Sequence, residues 1–367
     1  MRSSLPPSHA AAPPVPLSAV GQYAELKRRV KVAGLLKPQP RYYAWKFATT
    51  ALLATMALLL LSTSRNPWWL VFDAALLAAV FVQFAFLGHD VGHRQVVRSQ
   101  RPRTVLSLIV GNLLVGVSAS WWQTKHNRHH GHPNRPGFDP DVMLPVLAFS
   151  PERAQSMNRA QRLFVRYQHL LFLALVLTEG IVLRVSSIEY LVTRRGRCWL
   201  LELLLIVLHL AAYSELAIHH FGVMPGLGFI ALHQMCFGLY MGLVFAPNHK
   251  GMATNAAPPA DVADDFLLEQ VLSSRNVQPS PLLDYLFGGL NYQIEHHLFP
   301  TLPRNRLPAA QALVETFCAE YGIPYHQTSP LTAYRDIFGH LRSVGQAARG
   351  APPSPVAGRQ QEGAVQP

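Results

Sequence analysis

Residues 68–93 read WWLVFDAALLAAVFVQFAFLGHDVGH. An apolar run of about 20 residues is long enough to cross a bilayer, and this one hands over directly to a histidine pair. His89 and His93 stand four apart, so on a helix they share one face. Two further clusters follow: HNRHH at 126–130 and QIEHH at 293–297. On a helix His126 sits over His129 and His130. Gln293 fills, before His296 and His297, the slot that His126 fills in the second cluster. Each cluster alone has an ordinary reading, because polar residues a turn apart are common. Three of them, each after a hydrophobic region, point to metal. Imidazole nitrogen suits iron, zinc, copper and nickel, and seven or eight such donors suit two ions.

The composition agrees with a membrane setting. Of 367 residues 50% are hydrophobic and only 14% charged, with a mean hydropathy of +0.15, too apolar for an ordinary soluble protein. Residues 1–40 hold no apolar core of a signal peptide. Cys198, Cys236 and Cys318 stand far apart without a CxxC, so no disulfide framework or iron–sulfur site is written here; they read as apolar fillers. The net charge of +12 raises a nucleic-acid reading, but that needs a basic face on a soluble module, and none is visible.

Three regions follow. Residues 1–40 form a tail whose first twenty residues, rich in Pro, Ala and Ser, read as disordered. Within it YAELKRRVKVAGLLK (23–37) reads as a short basic amphipathic helix, at a lipid headgroup surface or as a solvated linker. Residues 41–345 form the membrane domain, and 346–367 a disordered C-terminal tail.

Strong apolar stretches lie at about 45–63, 68–87, 198–219 and 226–246, and weaker ones at about 104–120 and 164–184. Parity decides which cross. Ligands of one site must meet on one side, so an even number of spans separates each pair of clusters. The 104–120 stretch alone separates HDVGH from HNRHH and is therefore re-entrant or interfacial. Between HNRHH and QIEHH the weakest of three, 164–184, interrupted by Arg166, Gln168, His169 and Glu179, is removed. The expectation is an all-α integral membrane protein: four transmembrane helices in two hairpins, with a cytoplasmic helical cap carrying the histidines. Arg94, Arg98, Arg101, Arg103, Lys125, Arg128, Arg135, Arg194, Arg195 and Arg197 lie on the histidine side, while the opposite turns at 64–67 and 220–225 carry only Arg65. The positive-inside rule then makes the termini and the site cytoplasmic.

HDVGHRQ (89–95), WWQTKHNRHHGHPN (121–134), FAPNHKGM (245–252) and FGGLNYQIEHHLFP (287–300) resemble the membrane fatty acid desaturase family, the histidine-box di-iron proteins. The likeness runs from about 42 to about 342. A glutamine opening the third box is typical of the subgroup with acyl-CoA and acyl-lipid desaturases of the Δ5/Δ6 type. Many of its eukaryotic members carry a fused cytochrome b5 domain with an HPGG motif. This sequence has none; HPNRPG at 132–137 lies within the membrane domain.

The resemblance implies two non-haem iron ions, dioxygen as co-substrate, and a long-chain fatty acyl substrate carried on CoA or on a lipid. It also implies a separate electron donor: a ferredoxin, cytochrome b5 or flavoprotein reductase. It implicates His249 as an eighth ligand. Gln293 is either a ligand or a neighbour acting through water or another ligand. Asp90 and Asp139 are placed to accept a ring N–H, as is Asp141, with a helix-end charge or a turn as their plain readings. Asn248 could hold a water on the metal. His209, His219, His220 and His233, within spans or at their far ends, suit interhelical hydrogen bonds. His132 and His169 stay open, and His9, His326 and His340 read as solvated.

The chemistry narrows the function. An alkyl C–H bond offers no acid–base or nucleophilic handle, so a dioxygen-activating metal must supply the oxidising power. The Glu-x-x-His pairs of soluble di-iron bundles are missing, and imidazoles stand in their place. The expected activity is insertion of one cis double bond into a membrane-embedded acyl chain. A lipid hydroxylase, ketolase or epoxygenase would use the same site. A membrane haem protein would use His209 or His233 and leave the clusters unexplained, and a metal transporter would need clustered acids within the spans.

Overall fold

The computed structural model describes residues 19–63, 66–252 and 265–349. The outer tail calls (1–18 and 350–367) and Arg65 lie outside them. A basic helix α1 (Ala19–Val32) precedes two long apolar helices, α2 (Pro40–Thr63) and α3 (Pro67–Gly92). Next come α4 (Gln100–Ser107), a π-helical continuation (Leu108–Val115), and α5 (Ala119–Gly131). Short helices α6 (Pro151–Ser156) and α7 (Arg159–Arg166) lead to α8 (Gln168–Leu177) and α9 (Glu179–Arg194). The other two long apolar helices, α10 (Trp199–Phe221) and α11 (Val223–His249), are joined at Gly222. A second helical layer completes the chain: α12 (Phe266–Leu272), α13 (Pro281–Leu286), α14 (Gln293–Leu298), α15 (Leu307–Glu320) and α16 (Pro330–Ala347). Strands β1 (Asn276–Val277) and β2 (Gln327–Thr328) pair in parallel within it.

Among the described residues α2, α3, α10 and α11 are each long and apolar enough to cross a membrane. The two weaker stretches form bent pairs. The Gln100–Val115 segment meets α5 at 104°, and α8 meets α9 at 69°; counting each pair as one span would give six. The sharper bend has identifiable causes. Gly116 adopts φ +75°, and a Cβ there would fall 2.4 Å from the His209 ring, so only glycine fits. Ser118 caps α5. Glu202 of α10 clamps the turn, its Oε2 accepting from Ser118 Oγ (2.7 Å), Asn112 Nδ2 (3.1 Å) and the Ser120 amide (3.2 Å). Buried Arg184 of α9 donates to the carbonyls of Gly180 and Val115 and to Gln234 Oε1, so its charge is met by three acceptors rather than left bare.

Helix α1 departs from both expectations for it. Leu26 and Val30 are fully buried with Leu267 and Phe317, and Arg29 joins Glu320 at 2.6 Å while lying over the Phe317 ring. Its apolar face is spent inside the protein. His340 is likewise not solvated: its Nε2 stands 2.8 Å from the Phe149 carbonyl. His326 is exposed, as expected. Cys318 is a buried filler, whereas Cys198 is exposed.

Candidate metal centre

Four helices deliver eight imidazoles to one place. His89 closes the last turn of α3 with His93 just beyond, and α5 carries His126, His129 and His130. His249 ends α11, and α14 carries His296 and His297. Local sequence explains each approach. Gly92 lets α5 close in, since a Cβ there would meet the Trp122 ring at 2.3 Å. Pro247 has no N–H for the Leu243 carbonyl, which accepts from the Tyr334 hydroxyl instead, and buried Arg275 holds the end of α11, donating to the carbonyls of Pro247 (2.5 Å) and Lys250 (2.6 Å). Glu295 pins α14 by accepting from Asn276 (2.7 Å) and Tyr325 (2.8 Å). Burial pushes its carboxyl up to about 7.

The imidazoles form two groups. Ring nitrogens of His89, His93, His126 and His296 lie within 4.8 Å of one another, as do those of His129, His249 and His297. His130 stands between them, its ring centroid 4.5 Å from that of His126 and 4.2 Å from that of His297. The Nε2 atoms of His93 and His126 are 2.9 Å apart, those of His126 and His130 3.0 Å, and those of His129 and His249 3.2 Å. Two donors each about 2.1 Å from one ion and at right angles to each other stand about 3 Å apart.

Four rings have Nδ1 tethered, which turns Nε2 toward the centre. Their partners are Asp90 for His89 (3.3 Å), Asp139 for His129 (3.0 Å), the Ser273 carbonyl for His249 (3.1 Å) and Gln270 Oε1 for His297 (2.8 Å). Such outer partners fix tautomer and orientation at metal sites. The inward Nε2 atoms of His89, His296 and His297 are buried with no hydrogen-bond partner, each costing roughly 1–3 kcal/mol unless something binds there. Burial first, then crowding by neighbouring rings, holds His93, His296 and His297 well below the ordinary histidine range. Neutral rings keep the lone pair a cation needs. The donor set fits two cations.

The outer residues fall into place unevenly. Asp90 lies against His89 and Asp139 against His129, and Asp90 also pairs with buried Arg304 at 2.6 Å. Gln293 reaches His249 Nε2 at 2.8 Å, and its Oε1 accepts from Asn248 at 3.1 Å. Asn248 thus contacts Gln293 rather than an imidazole. His209 and His233 bond across helices to the Leu113 carbonyl (2.9 Å) and the Tyr213 hydroxyl (2.8 Å). Gln270, Ser273 and Arg304 were not singled out by sequence. Gln270 and Ser273 carry no motif, whereas Arg304 sits close after the third cluster in PRNR.

The centre opens on a cavity of about 420 Å³, walled by apolar side chains including Val115, Val117, Leu183, Phe237 and Met241, together with His89, His126, His129, His249 and His296. That volume is in the range of small-ligand sites. Asp141 borders it, paired with Lys125 and 3.5 Å from His129 Nδ1. Burial alone would raise Asp141, but Lys125, His129 and Lys250 together hold it below the usual carboxylate range.

Similarity to known proteins agrees with this arrangement. A family model described as "Fatty acid desaturase" matches residues 66–329. A Delta(6)-fatty-acid desaturase of Caenorhabditis elegans is 32% identical over 83% of this chain and 71% of its own length. An acyl-lipid (9-3)-desaturase of Physcomitrium patens is 30% identical over 86% of this chain and 61% of its own. A Delta(8)-fatty-acid desaturase of Euglena gracilis is 28% identical over 87% and 79%. Apolar helices of membrane-spanning length, two histidine groups suited to metal and these similarities converge: the chain belongs to the fatty acid desaturase family of oxidoreductases.

Proposed function

We propose that this enzyme inserts one cis double bond into a long acyl chain, carried on CoA or a membrane lipid. One observation carries the proposal: eight imidazoles, arranged as two groups with one ring between, open on an apolar cavity. His89, His93, His126, His129, His130, His249, His296 and His297 hold two iron ions, with Asp90, Asp139, Gln270 and Ser273 orienting four of the rings. Gln293 stands beside His249 Nε2, the nitrogen that faces the metal position, as a further ligand or as a neighbour of that position. The iron pair, when bound, supplies the dioxygen-based oxidising power that side chains lack. The protein's own share is to orient those rings, keep them unprotonated, hold the chain against them and exclude water. Two electrons come from a separate ferredoxin, cytochrome b5 or flavoprotein reductase. Hydroxylases would share the donor set, but the relatives are named as desaturases that place double bonds, which favours desaturation. Expression in a host lacking the product should add one new monounsaturation step to its lipid profile. An oxygenated product instead would move the protein to the hydroxylase reading.

The same proposal places the membrane domain at 41–345, with α2 and α3 as one hairpin, α10 and α11 as the other, and the remaining helices as a cytoplasmic cap. Cys198, exposed between α9 and α10, is a natural probe. With Cys236 and Cys318 changed to Ala, impermeant maleimide should label it from the cytoplasmic side. Labelling from the opposite side would make α8 and α9 a true crossing and break the parity count.

A further inference from the structure

The apolar cavity poses a problem of register. Burial of methylenes is non-directional and scales with area, so an acyl chain could slide by one carbon at little cost. A polar anchor at one end would decide which carbons face the histidines. Apart from the imidazoles, the charged side chains on its lining are Lys125, Asp141, Lys250 and Glu179, which gather on one wall.

The two lysines have hydrogen-bonding capacity to spare. Each ammonium carries three donors. Lys125 pairs with Asp141 and lies 5.8 Å from the Trp121 ring centroid. Lys250 donates to the Asp141 backbone carbonyl at 2.9 Å and faces the Phe149 ring at 4.2 Å; neither partner is an anion. Asp139 is already committed to His129, the Asn134 amide and the Asp141 amide. Two cations face one ion-paired carboxylate, with Glu179 on the same wall, so the local charge is close to balanced. That suits a neutral acceptor better than a second anion. This wall is also next to the centre, because Asp141 bridges Lys125 and His129.

Resting on the desaturase reading above, we propose that Lys125 and Lys250 bind the carbonyl oxygen of the esterified acyl group and so set the double-bond position from the carboxyl end. The carbonyl is common to a CoA thioester and a phospholipid ester.

The test uses purified full-length enzyme loaded with iron and supplied with dioxygen and a reducing system of flavoprotein reductase with cytochrome b5 or ferredoxin, in separate arms with an acyl-CoA and with phosphatidylcholine carrying the same chain. The arm that yields product identifies the carrier. Lys125→Met and Lys250→Met should keep wild-type iron, raise KM about tenfold or more, as expected for lost bonds from a charged donor, and spread product over neighbouring positions. Lys125→Arg and Lys250→Arg should restore one position. With the corresponding thioether or ether analogue, which lacks the carbonyl, wild-type enzyme should show the same tenfold loss and scatter. Unchanged KM and position in both Met variants, or identical handling of ester and ether by the wild type, overturns the assignment. The ether comparison decides even if the Met variants fail to fold. No unsaturated product from wild type in either arm overturns the desaturase reading, and this assignment with it.

Discussion

His249→Ala is expected to bring product formation to background and to strip metal from the group it shares with His129 and His297, whereas His233→Gln keeps full metal content. Losing a supporting partner of a ligand commonly costs 10–100-fold in metal affinity or activity; losing one of three direct donors should exceed about 100-fold. His249 Nε2 lies 3.2 Å from His129 Nε2, and its Nδ1 is tethered to the Ser273 carbonyl. His233 instead bonds the Tyr213 hydroxyl among the helices. Its replacement should cost about 1 kcal/mol, the scale of hydrogen bonds between membrane helices. The same expectation covers His89, His93, His126, His129, His130, His296 and His297: alanine at any of them ends product formation in an inserted, folded protein. Near-normal activity in two such variants would sink the shared site. Loss of metal from His233→Gln with retention in His249→Ala would reverse the placement of α11.

An equally large effect is expected from the reductant. Purified protein with acyl substrate and dioxygen should give no sustained turnover until a ferredoxin, cytochrome b5 or flavoprotein reductase system is added. The eight imidazoles are redox-inert, and the 367 residues carry no HPGG haem motif. Product from wild-type enzyme should therefore rise from at most one turnover to many when the donor is supplied. Continued turnover with every electron source removed would contradict this.

Much of the centre was legible in the sequence because a helix turns spacing into direction. The spacings in HDVGH and HNRHH put imidazoles three and four apart on a shared face, and the structure brings His89, His93 and His126 together with His296; adjacent His296 and His297 point apart and enter different groups. The four long apolar runs became four helices of spanning length for a similar reason: composition alone sets their length and setting. What spacing could not reveal is which distant side chain meets which ring. Gln270 and Ser273 approach His297 and His249 from α12 and its C-terminal end, a segment with no histidine and no recognisable motif. The break at the end of the 104–120 stretch is signalled by Gly116 and Ser118. The stretch's π-helical form could not be read, because it depends on Glu202 and His209 arriving from a helix 80 or more residues later. The basic helix α1 misled for a related reason. Its Leu26 and Val30 look suited to lipid, yet Phe317 and Leu267 cover them first. Local pattern shows that a face is apolar and leaves open what covers it.

The central claim, a two-iron centre built from neutral imidazoles, is tested most directly by metal analysis of purified wild-type protein together with its optical spectrum. The account predicts two non-haem irons per chain and no Soret band. Zinc in place of iron, a haem spectrum, or a metal content unaffected by removing both His129 and His296 would contradict it.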